Sequence, residues 1–223
     1  MSYKVLSLAA LAAAVAAAPL AAQAAAQAAT PTTATTAAPA PGPAAAEPSL
    51  DELRALTARY RDVNVALADG YVRDPANSCE TADMAGRDRA DGVMGIHYVH
   101  MERLGITAPP NPRVDGNGTH TDFRTPAVLI YEPQADGSLE LVAVENLVFI
   151  KAWEAAGHKE PPTYLGHAFN RMVDDPNTEV DEAHHFAPHY DLHVWAYREN
   201  PKGTFTQFNP AATCEHHKGG GHH

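Results

Sequence analysis

The segment Leu139–Phe149 (LELVAVENLVF) constrains the chain more than any other. From Leu141 onward it is apolar on both faces of a strand, interrupted only by Glu145-Asn146, so both faces need a cover. Such a strand belongs in the middle of a sheet. It follows Ala127–Glu132 through Gln134-Ala-Asp-Gly-Ser138, and Asp136-Gly137 predicts the turn of a β-hairpin. Val93–Val99 and Tyr190–Tyr197 read as further strands. Ahead of them, Ser49 and Glu52 form a capping box after Pro48. Leu50, Leu53, Leu56, Tyr60, Val63 and Leu67 then recur at helical spacing until Gly70. Residues 71–92 are polar and read as loop with a short helix. The expected class is α+β: an N-terminal amphipathic helix followed by a mainly antiparallel β domain.

Around this domain the chain changes character. Residues 1–28 read as a secretory signal peptide: Lys4 supplies the positive start, Val5 to Ala18 is apolar, and small-x-small sites follow Pro19. The apolar stretch is short for a membrane span, which needs about 20 residues, so no stable membrane insertion is expected. Residues 29–48 are almost wholly Ala, Thr and Pro, a composition too poor in large apolar side chains to order itself, and read as a disordered linker. Residues 49–215 form the single globular domain, and 216–223 a flexible His/Gly tail. The expected location is secreted or periplasmic. A net charge of −11 argues against a nucleic-acid partner, which needs clustered Lys and Arg. Oligomeric state has no signature in the sequence.

Two cysteines, Cys79 and Cys214, lie near the two ends of the folded region. In an oxidising compartment they are most simply a disulfide. The alternative is a pair of thiolate metal ligands.

The 13 histidines are the unusual count, and none precedes His97. His189-Tyr-Asp191-Leu-His193-Val-Trp195 alternates, so one face of that strand carries His189, Asp191, His193 and Trp195. Two imidazoles four residues apart on an extended strand are roughly 13 Å apart, too far to share one ion without a bulge. This favours His193 as the embedded ligand, with His189 as a candidate further ligand and Asp191 as a supporting partner. His97 lies inside the short apolar run Met94-Gly-Ile-His97-Tyr98, and Glu145 inside Leu141-Val-Ala-Val-Glu145. Each is a polar residue in a strand that should be buried, which is costly unless it is paired or coordinated. Two histidines and a carboxylate on neighbouring strands suit a transition metal ion: copper, zinc or iron. A metal-free polar network of the same residues, in a structural or envelope-interaction domain, is the competing reading. If metal binds, the chain sequesters or carries it, or catalyses a reaction at an open coordination position.

Other features carry less. The acidic, His-rich segment from Asp174 to His185 reads as a solvated loop, with electrostatic guidance of a cation as its alternative. Asp115-Gly-Asn117-Gly-Thr119 lacks the glycine and glutamate of a calcium loop and reads as a turn. There is no G-x-S-x-G elbow, no H-E-x-x-H, no phosphate loop and no complete G-x-G-x-x-G. The ligand is therefore a metal ion or a small molecule.

The series Gly86 through Met94-Gly-Ile-His-Tyr98, Leu129-Ile-Tyr-Glu-Pro133, Leu141-Val-Ala-Val-Glu145, Pro161-Pro-Thr-Tyr-Leu-Gly166, Asp191-Leu-His-Val-Trp195, Asn200-Pro-Lys-Gly-Thr-Phe205 and Phe208-Asn-Pro210 up to Cys214 resembles a family of uncharacterised exported bacterial proteins. The resemblance covers residues 58–214, with Phe208 standing where the pattern has tryptophan. It implies export and a single domain, and assigns no activity to any residue.

Overall fold

The computed structural model describes residues 46–74, 78–108 and 113–219. Residues 1–28, read above as a signal peptide, the expected linker up to residue 45 and the last four residues lie outside the described residues. In chain order the elements are α1 (Leu50–Thr57), α2 (Val63–Ala68), β1 (Tyr71–Arg73), β2 (Glu80–Thr81), β3 (Val93–His100) and α3 (Met101–Leu104). There follow β4 (Ile106–Ala108), β5 (Asp115–Gly116), β6 (Val128–Pro133), β7 (Leu139–Phe149) and α4 (Ile150–Ala155). The last are β8 (Thr163–Tyr164), β9 (His167–Ala168), β10 (Asn170–Met172) and β11 (His189–Val194). The fold is α+β with antiparallel sheet. Among the described residues no helix is long and apolar enough to cross a membrane.

The main sheet runs β1-β3-β6-β7-β11-β10, with β2 also beside β3, and every pairing in it is antiparallel. The strand β7 sits between β6 and β11, as an apolar strand must. Its hairpin to β6 closes through Gln134 N–H to Ser138 O at 2.9 Å, with Asp136 Oδ1 accepting from Ser138 N–H at 2.9 Å. Both faces of the sheet are covered. On one, Ile96, Tyr98, Leu129, Tyr131, Val144, Leu192 and Val194 pack with Leu53, Tyr60, Phe123 and Tyr164. On the other, Val93, Val99, Val128, Ile130, Ala143 and Leu147 pack with Leu104, Val114, Phe186 and Ala212.

The N-terminal helix departs from the single run that its spacing predicts. The capping box at Ser49 and Glu52 is present, but a 3-10 turn at Ala58–Arg61 and the extended Asp62 separate α1 from α2. The Asp62 side chain accepts the Asn64 N–H at 2.9 Å and so starts a second helix. The break rotates the stripe: Leu53 and Tyr60 are buried, whereas Leu56 and Leu67 are about half exposed. Residues 71–92 also differ, because β1 and β2 dock on the edge of β3. Strands of three and two residues are too short to show a period, and pairing to β3 is what makes them strands. The strand predicted to reach Tyr197 ends at Val194, where Ala196 N–H turns back to Val194 O.

Cys79 and Cys214 form a disulfide with their Cα atoms 5.8 Å apart, ruling out the thiolate-ligand alternative. It ties the start of β2 to the chain that follows the sheet. The following tail is placed as far as residue 219, with His217 N–H on the Cys214 carbonyl.

Candidate metal centre

The site is built by strand register. Glu145 of β7 is the direct cross-strand partner of His193 on β11 and, on its other side, of Val128 on β6. Val128 is in turn opposite Val99, two residues from His97 on β3. Cross-strand partners share a face, and so do residues i and i+2, so His97, Glu145 and His193 all project from one side of the sheet. Strands β3 and β7 are two strand spacings apart, about 10 Å. The reach of the His97 and Glu145 side chains over β6 closes that gap.

At the meeting point Glu145 Oε2 lies 3.4 Å from His97 Nε2 and 3.5 Å from His193 Nε2. One ligand atom from each of the three residues lies within 4.8 Å of the others. Both separations exceed a good N–H···O hydrogen bond, 2.7–3.2 Å. Glu145 Oε2 and both ring nitrogens of His193 are buried without a hydrogen-bond partner. Two ligands bonded to one ion at about 2.0–2.2 Å and a tetrahedral angle lie roughly 3.3–3.6 Å apart. The spacing is thus that of a coordination edge.

Electrostatics agree with this arrangement. Burial pushes the Glu145 carboxyl up, but the charges of His193 and His97 outweigh it and bring the pKa to about 2. Burial pulls His193 down to about 4, so that imidazole is neutral and ready to donate a lone pair. For His97 burial also acts downward, but the Glu145 contact and charge prevail and its pKa is raised. Without metal, His97 therefore holds a proton more firmly than His193 does.

His189 and Asp191 stand beside the group. His189 Nδ1 bonds the Ala187 carbonyl at 3.0 Å, which makes it the protonated nitrogen, and Nε2 lies 4.0 Å from Asp191 Oδ2. The same Asp191 oxygen is 3.9 Å from His193 Nδ1. Burial holds the His189 pKa near 4 and, followed by the charge of Glu145, pushes Asp191 well above the carboxylate range. The fold therefore brings His97, Glu145 and His193 to ligand distance and leaves His189 one step along the strand. All five residues line a cavity of about 20 Å³, room for roughly one or two waters.

The cavity has a further wall that the sequence did not reveal. Asp74, Glu80 and His184 also line it. His184, read as part of a solvated loop, has a side chain only 10% exposed, with Nδ1 3.6 Å from Glu80 Oε2. Glu80 lies on a two-residue strand, and His184 follows an acidic run with no periodicity. Only the proximity of Glu80 to Cys79 hinted that it is held in place.

Two imidazoles and one carboxylate, with a cavity against them, can hold a first-row divalent ion and leave a coordination position facing that cavity. Comparison of the chain with protein-family models, with curated proteins and with solved structures finds no match.

Proposed function

We propose that the chain is an exported metal-binding domain that sequesters or carries copper or zinc through His97, Glu145 and His193, with His189 as a further ligand and Asp191 orienting His193. The observation that carries this reading is the pair of 3.4 and 3.5 Å contacts to a single buried carboxylate oxygen that has no hydrogen bond. A metal-free network would be expected to close to hydrogen-bond distance, because a buried carboxylate oxygen without a hydrogen bond is costly. The disulfide suits an oxidising compartment, and the resemblance to exported bacterial proteins points the same way.

The test is elemental analysis of the full chain, exported natively and purified without an added tag, beside His193→Ala and Glu145→Gln. Each variant is expected to lose bound metal relative to the parent, a difference in which the tail histidines cancel. Equal metal in all three proteins overturns the reading.

The cavity beside the group favours a second reading, a metal-dependent enzyme with zinc or non-haem iron. Three protein ligands leave a four-coordinate ion incomplete, and its vacancy would face space for a water-sized reactant. Azide added to the Co(II)-loaded protein separates the two readings. A saturated carrier keeps its visible spectrum, whereas an open site shifts it.

A further inference from the structure

We infer that Glu80 and His184 form a second cation position on the same cavity, so that the domain binds two divalent transition-metal ions. This rests on the metal-binding reading of the first group and extends it.

The pair repeats the geometry of that group. Glu80 Oε2 and His184 Nδ1 are 3.6 Å apart, too long for a good hydrogen bond and equal to a coordination edge. Their remaining atoms, Glu80 Oε1 and His184 Nε2, are buried with no hydrogen-bond partner. Glu80 is 3% exposed. A carboxylate and an imidazole are kept out of water here without the bonds that normally justify their burial.

The cavity lining holds the carboxylates Glu80 and Glu145 and, among the described residues, no Lys or Arg. One divalent ion at His97, Glu145 and His193 takes up the Glu145 charge and leaves Glu80 beside the His184 imidazole. A second ion supplies the missing charge and takes one nitrogen and one oxygen from the protein, with water or a bridging oxygen completing its shell.

Both residues are held by built structure. Glu80 is paired with Gly95 of β3, two residues before His97, and follows the disulfide-bonded Cys79. Gly95 has φ +110°, and a Cβ there would meet the Tyr131 carbonyl at 2.8 Å, so this stretch of β3 is fixed to a glycine. His184 has φ +51° and His185 φ +66°, a left-handed pair unusual for these residues. Arg113 fastens their loop through Asp174, Asp181 and the Phe186 carbonyl.

The experiment is a Zn²⁺ titration of the metal-stripped full chain, with bound equivalents counted after gel filtration. His184→Ala and Glu80→Gln are each expected to lose one equivalent and keep the one that His193→Ala removes. The Cu(II)-loaded parent should show spin–spin broadening in its EPR spectrum, and His184→Ala an isolated Cu(II) signal. Circular dichroism checks folding, and the isosteric Glu80→Gln decides the matter if His184→Ala does not fold. Unchanged stoichiometry in both variants, with one equivalent lost in His193→Ala, overturns the second position and leaves the first intact. A single equivalent whose affinity falls in His184→Ala also overturns it, since His184 would then serve the first ion. No loss in His193→Ala is instead the failure of the first reading.

Discussion

Glu145 and His193 are directly opposed across the β7–β11 ladder, with Oε2 and Nε2 3.5 Å apart. A one-residue slip of either strand would send one of these side chains through to the other face of the sheet. The apolar residues that flank them, Val144 and Leu147 on β7 and Leu192 and Val194 on β11, are all buried and would be misplaced by the same slip. Core packing therefore fixes the site.

Asp191 Oδ2 stands 3.9 Å from His193 Nδ1 and 4.0 Å from His189 Nε2. Asp191→Asn is expected to keep the stoichiometry and weaken metal binding about 10–100-fold, the usual cost of losing a partner that orients a ligating imidazole. Competition against a chromophoric chelator measures it. Affinity within twofold of the parent would show that Asp191 does not orient the ligand.

His189 and His193 should each cost the metal-free protein stability on acidification. His189 and His193 are held near pKa 4, against about 6.5 in an unfolded chain. The unfolded state thus binds protons that the native state refuses. The stabilisation from these two groups is complete above pH 6.5 and is lost as the pH falls towards 4. His97, raised, works oppositely: its contribution is complete below its unfolded pKa and fades as the pH rises through its native one. Glu80 and Glu145 lie lower than usual and add losses only below about pH 4.5. The raised Asp191 works against the histidines over the whole range from its native pKa down to about 3.8, because there the native state holds a proton that the unfolded state does not. Tm in the presence of a chelator is therefore expected to fall more steeply between pH 7 and 5 in Asp191→Asn, which lacks that opposing group, than in the parent. An equal or shallower fall in the variant contradicts this. Metal loading should steepen the fall and release a proton from His97, because the ligands must be deprotonated.

The disulfide closes a sequence separation of 135 residues. On the chain-entropy model this stabilises the fold by up to about 5 kcal/mol. Urea unfolding of the Cys79→Ala/Cys214→Ala chain should show most of that loss. Since Cys79 precedes Glu80, bound metal should fall as well.

Glu132 is 3% exposed and answers to Arg198 and to the Thr213 N–H at 2.7 Å. Arg198 also bonds Glu140 and the Ala211 carbonyl, both at 3.0 Å. Arg198→Met strands a buried carboxylate and is expected to cost about 2–3 kcal/mol, below the full cost for a buried pair because the guanidinium is partly exposed. Metal stoichiometry should not change. Chemical denaturation reads the first and titration the second.

The sequence by itself determined the central strand and its hairpin, the antiparallel class and the three residues that meet at the group; between a disulfide and two thiolate ligands the tertiary structure decided. Each follows from a local conflict or pattern. Leu139–Phe149 is apolar on both faces, and His97, Glu145 and His193 are polar where burial forbids polarity without a partner. The tertiary structure alone decided the rest. A side-chain cap at Asp62 broke a helix whose spacing was continuous. Pairing to β3 made strands of Tyr71–Arg73 and Glu80–Thr81, which are too short to have a period. A loop held by Arg113 turned His184 inward from a run of acidic residues. Strand periodicity reports which face a residue takes, but a two-residue strand and an irregular loop have none. What they bring to the cavity is set by contacts distant in the chain.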